Sequence, residues 1–136
     1  MNKDDRMKPN STHRGTVLAL ALCAACLSAQ ARAVGDCRIE PGALCPEANL
    51  AGADLKDADL ARANFFHADM AGATLSNANL RGAQMQGANL SRAKLGGAVL
   101  SGADLERASF KAAVMNGVDA SNANLQDDAF TGAQWK

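Results

Sequence analysis

Four cysteines, two histidines and a spread of acids are the residues of this chain that could do chemistry. Cys23 and Cys26 have the Cys-x-x-Cys spacing of a redox or metal-binding pair. Cys37 and Cys45 bracket a short loop in which Pro41 and Gly42 can turn the chain back, as a disulfide would require. His67 would have to be the base of any Ser-His-Asp arrangement, and the many Asp residues would be acid–base candidates. Which of these survives depends on the elements that carry them.

The first element is a leader. Residues 1–15 are polar and mildly basic, with Lys3, Arg6, Lys8 and Arg14 against Asp4 and Asp5. An uncharged apolar run from Thr16 to Ala29 follows. It is too short for a membrane span of about 20 residues but suits the apolar core of a secretory signal. Small-x-small sites follow at Ala29-Gln30-Ala31 and Ala31-Arg32-Ala33, so residues 1–33 read as a signal peptide with Val34 as the mature N-terminus. Met7, followed by Lys8, would give a more usual start than Met1. Ala24-Ala25-Cys26 also offers a small residue before a cysteine, as lipidation requires, although Cys23 stands where leucine is usual. Cleavage removes Cys23 and Cys26, so their spacing carries no redox or metal chemistry in the mature chain. Cys37 and Cys45 remain, an even pair expected to be bridged in an oxidising compartment.

From Ala48 onward the sequence repeats every five residues. Large apolar residues recur from Leu50 through Leu90 to Trp135, filling 17 of 18 such positions, with Ala120 the exception. Alanine stands two places before each, with Val118 and Asp128 the departures, and the latter is expected to mark the repeat breaking down. Asn or Asp favours the place between them, and glycine often closes the unit. Neither a helical period of 3.6 nor a strand period of 2 explains this. A fixed period with turn formers in every unit is a solenoid signature, with alanine and the large residue inward and the others outward.

The units Ala53-Asp54-Leu55-Lys56-Asp57 and Ala88-Asn89-Leu90-Ser91-Arg92 resemble the pentapeptide-repeat family, over Ala48 to Lys136. The resemblance implies an all-β fold, a right-handed quadrilateral parallel β-helix with one unit per side and four per coil. Residues twenty apart should then stack, giving columns such as Leu50-Met70-Leu90-Phe110-Phe130. The expected division is a signal peptide at 1–33, an N-terminal cap at 34–46 closed by Cys37 and Cys45, and the β-helix at 47–136.

That frame sorts the remaining candidates. His67 falls at an outward corner without a positioned partner, and the Asp residues are repeat positions, so no catalytic site, cofactor or metal is expected. Phe66 occupies an outward position that usually takes a small or polar residue, and with His67 and Arg62 it could form an interaction patch. Phe130 and Trp135 are expected to cap the C-terminal end or to make a homodimer contact. Lys+Arg and Asp+Glu are both 14, which argues against a basic nucleic-acid footprint. The expectation is a non-catalytic periplasmic or secreted protein, a structural or protein-binding module of the bacterial envelope with an unknown protein partner. It should bind no nucleic acid and keep no stable membrane span after cleavage. The family also includes DNA-mimicking proteins, so the alternative is an inhibitor or protector of a type II topoisomerase. Mimicry needs rows of negative charge spaced like phosphates. The stacked Asn/Asp columns, such as Asp54-Thr74-Lys94-Val114, put no two acids next to each other.

Overall fold

The computed structural model describes residues 32–34 and 36–136. The proposed leader up to residue 31, with Cys23 and Cys26, lies outside the described residues.

Each five-residue unit is built from one turn. The carbonyl of the large inward residue accepts the N–H of the residue three places on, as from Ala53 to Leu50 (3.0 Å) and from Ala88 to Met85 (3.0 Å). The residue two places after the large one has positive φ at every unit from Gly42 to Gly132. That pairing of a bond across three residues with positive φ only at the third is a type II turn. Nine of these corners are glycine and ten are not, among them Arg62, His67 and Arg92. The non-glycine corners hold a conformation that costs about 1 kcal/mol each, so coil stacking has to offset it.

Stacking is strict. Fifteen isolated parallel bridges join residues twenty apart, from Leu44–Asn64 to Val114–Gln134. Each side donates forward from the large residue, as Leu50 N–H to Asp69 O (2.7 Å), and accepts back at the alanine, as Asp69 N–H to Ala48 O (2.9 Å). A side is so short that it carries a single bridge, which is why only two extended strands stand out among the described residues. These are β1 (Arg32–Val34) and β2 (Cys37–Ile39), an antiparallel pair ahead of the coils.

The inward columns form one core. Leu55, Leu75, Leu95 and Met115 stack on one side, and Leu60, Leu80 and Leu100 on another, all buried. The alanines from Ala58 to Ala113 are equally buried, so the small and the large inward residues share one close-packed core. Burying each large residue contributes about 2 kcal/mol. Residues of the last coil, Leu125, Phe130 and Ala133, are only partly covered.

Two expectations about boundaries need correction. The coil begins at Gly42, inside the segment assigned to the cap at 34–46. Gly42 N–H donates to Ala61 O (2.8 Å), Cys45 N–H to Asn64 O (2.8 Å) and Glu47 N–H to Phe66 O (2.7 Å). Ala43–Glu47 is therefore a complete unit in which Cys45 fills the buried place beneath Phe65. Glu40-Pro41-Gly42-Ala43 makes the preceding turn, with proline and glycine at the two central places that a type II turn favours. The cap proper is β2, whose Cys37 and Ile39 are buried against the core.

At the other end, the repeat does not break down at Asp128. The bridges Ser109–Ala129 and Val114–Gln134 carry the coil past it, because the backbone ladder tolerates a polar side chain that finds its own donor.

Leu90 is fully buried in a continuous column, whereas Arg92 is an exposed corner. Leu90→Lys is expected to cost several kcal/mol by burying an unpaired charge. Arg92→Lys should stay within about 0.5 kcal/mol of the parent protein. Thermal melts of the two variants read the difference directly.

Candidate functional site

The outward surface is governed by a hydrogen-bond shortage in the backbone. The N–H following each large residue points out of the ladder and finds no partner in the next coil. Where the preceding bridge position is Asn or Asp, its Oδ1 accepts that N–H, as Asn64 does for Phe66 (2.9 Å), Asp69 for Ala71 (3.1 Å) and Asn89 for Ser91 (3.1 Å). All ten Asn and Asp residues at this place make the bond. Their role is thus side-chain capping of the turn, and the positive-φ corner itself belongs to the residue three places later.

The same column explains the alternation of Asn with Asp. Asn79 Nδ2 donates to Asp59 Oδ1 (3.0 Å), Asn89 to Asp69 (3.1 Å) and Asn124 to Asp104 (2.9 Å). An amide above a carboxylate replaces the repulsion that two stacked acids would suffer one coil spacing apart. Asp119 is held below the usual carboxylate range, first by the Ser121 hydroxyl and then by the Ser121 N–H. Among the described residues, the ion pairs lie on the surface, Arg107–Glu106 (2.8 Å) and Arg38–Glu40 (3.3 Å) among them, and contribute little to stability.

Against this polar surface, one side carries apolar groups. Phe66 is 44% exposed, and the His67 ring meets it edge-on at 4.3 Å and 81°. His67 also leans across Gly87 in the next coil, so closely that a Cβ at Gly87 would clash with the imidazole. The absence of a side chain at Gly87 thereby leaves room for the ring that flanks Phe66. Arg62, at the other corner of this side, lays its stem against Gly82 and takes no part in the aromatic contact.

The sequence reading missed two neighbours of Phe66. Leu44, 81% exposed, bridges Asn64, and Pro46 lies one coil beneath Phe66 itself. The signal was available in register, since residues 43–47 stand twenty before 63–67. Pro46 has no N–H to cap, so the bridge place beside it does not need an Asn or Asp and can hold Leu44. Next to Leu44 and Pro46, a cleft of about 410 Å³ opens between β2 and the first coil, bordered by Asp36 and Glu47. Cys37 and Cys45 form its floor, with their Cα atoms 5.3 Å apart and their sulfurs bonded across it.

At the C-terminal end, Phe130 stacks on Phe110 (5.1 Å, 8°), and Trp135 leans over Phe130 (5.3 Å, 52°) while staying 48% exposed. Among the described residues, no three His, Cys, Asp or Glu side chains gather as a metal site. His67 has the Phe66 ring rather than a nucleophile for its neighbour.

With this geometry in view, comparison places the chain. The model of pentapeptide repeats matches residues 43–82, 58–97 and 88–127, so the chain belongs to the pentapeptide-repeat family. Among solved structures it is similar to a pentapeptide repeat protein, Rfr23, from the cyanobacterium Cyanothece 51142. That match has 33% identity, covers 68% of this chain and 60% of that one, and has a TM-score of 0.55. It is also similar to alr5209, a pentapeptide repeat protein from Nostoc Pcc 7120, at 32% identity over 61% of this chain and 84% of that one, with a TM-score of 0.56. The chain thus spans about 60% of the length of Rfr23. Among curated proteins, none matches the chain in sequence. No enzymatic family is indicated.

The Gly87 contact yields a comparison within one residue type. Gly87→Ala must relieve the His67 clash as well as hold positive φ, whereas Gly102, also at positive φ, has open space beside it. Gly102→Ala is expected to cost about 1 kcal/mol, and Gly87→Ala roughly twice that once His67 is displaced. Chemical denaturation of both variants, with the His67 ring proton shifts as a second readout, checks it.

Proposed function

We propose that this protein is an exported, non-catalytic pentapeptide-repeat rod of right-handed sense, acting as a protein-binding or structural module of the bacterial envelope or exterior. The observation that carries the binding role is the exposure of Leu44, Pro46 and Phe66 on one side of the coils, next to outward positions that are mostly polar. Apolar groups that serve no core and share one side of stacked coils mark a contact surface. The hand follows from the strong preference of parallel crossovers for the right-handed sense, about 98%.

Export rests on the leader in the sequence and on the bridged pair beneath the cleft. Signal cleavage after Ala31 would leave β1 whole, whereas cleavage after Ala33 would leave only Val34 of it. Trp135 and Phe130 are the proposed contact for a second copy at the C-terminal end. The topoisomerase reading finds no support in the surface, where amides alternate with acids along the stacked columns.

Crosslinking in intact expressing cells tests the binding role. A partner crosslinked to the parent protein should be lost from Leu44→Ser/Phe66→Ser, which alters the patch and leaves the buried columns intact. Retention of the same partner by the double variant would sink the assignment. For export, the N-terminus of the protein recovered from the periplasm should be Arg32 or Val34, with Cys37 and Cys45 resistant to alkylation until reduced. A full-length cytoplasmic chain with two free thiols would contradict it.

A further inference from the structure

Asp128 stands in the inward alanine column of Ala48, Ala68, Ala88 and Ala108, one coil beyond the last of them. Its Oδ1 accepts the N–H of Ala108 (2.9 Å), which also donates to Leu105 O (2.7 Å). Its Oδ2 is shielded from solvent and has no hydrogen-bond partner. A carboxylate with one oxygen shared and the other enclosed is poorly placed to keep its charge.

The charged residues of the two coils packed here are Asp104, Glu106, Arg107 and Lys111 beneath, with Asp119, Asp127 and Lys136 in the same coil. Arg107 is engaged by Glu106 (2.8 Å) and Asp127 (3.9 Å). Asp104 and Asp127 both oppose ionisation of Asp128. The arrangement therefore favours the neutral acid, which keeps the Ala108 bond and removes the enclosed charge.

We propose that Asp128 is a proton-operated latch on the last coil: protonated, it docks residues 119–136 onto the coil beneath, and ionised, it loosens them. Burial is the main cause that raises the carboxyl to about 6, ahead of the two neighbouring acids, while the Ala108 bond acts the other way. Because the folded value lies above the ordinary 3.8, the added stability is full below 3.8 and disappears as pH rises through about 6. The loosened state frees Phe130 and Trp135 from the Phe110 stack, so acid holds that aromatic end against the coil beneath and neutral pH releases it.

Hydrogen exchange of the protein purified from expressing cells, read by mass spectrometry at pH 5 and 7.5 and corrected for intrinsic rates, tests the latch. Protection of peptides within 119–136 should fall by up to about tenfold from pH 5 to 7.5, relative to peptides within 84–103. Asp128→Ala, which restores the residue of the column, and Asp128→Asn, which keeps the shape without the charge, should both abolish that pH dependence. Equal protection at the two pH values in the parent protein overturns the proposal. So does a dependence that survives in Asp128→Ala, because another group would then be titrating.

Discussion

The whole molecule depends on a left-handed residue recurring once every five. Placed two positions after each large side chain, it turns the strand through a corner after a single bridge, so that four corners return the chain above its start. The return sets the twenty-residue stacking, and stacking pairs the backbone of each side with the next coil. Ten corners use residues other than glycine, which shows that the ladder and the buried columns outweigh local backbone preference. Sequence freedom is therefore greatest at the outward places, and an unusual side chain there marks either function or a local solution to a missing bond.

The capping asparagines and aspartates show how the surface is built by the same constraint. The corner leaves one N–H per unit outside the ladder, and a short side-chain acceptor one bridge place earlier is what reaches it. Stacking these acceptors every coil would pile up charge, so an amide over an acid turns repulsion into a hydrogen bond. The result is a quiet polar surface from which the apolar group of Leu44, Pro46 and Phe66 stands out. It gathers at the end closed by β2 and the Cys37–Cys45 pair, beside a cleft.

Much of this was legible in the residues themselves. Seventeen large apolar residues in register, with alanine two places before nearly all of them, determine the inward columns, and the structure stacks those columns twenty apart. Cys45 stands in register with the inward column of Phe65 and Met85, but the start of the coil was hidden because Leu44 does not fit the Asn/Asp place. Pro41 and Pro46 carried the compensating information, since a proline needs no cap and suits the turn. The role of Asn64 or Asp69 was misread because turn formers and N–H acceptors are the same residue types. Their difference is one of position within the turn, which needs three dimensions. Asp128 looked like an interruption for the same reason, as only the coil beneath reveals Ala108 as its donor.

Removing one coil tests the central claim of twenty-residue stacking most directly. Deleting residues 83–102 joins Gly82 to Ala103 and keeps every remaining column in register, whereas deleting 83–100 shifts all later residues by two places. Thermal unfolding followed by circular dichroism should show a cooperative transition for the first variant, at a moderately lower Tm. The second should show no cooperative transition beyond the coils ahead of the cut. Equal melting of the two variants would contradict the stacked-coil account.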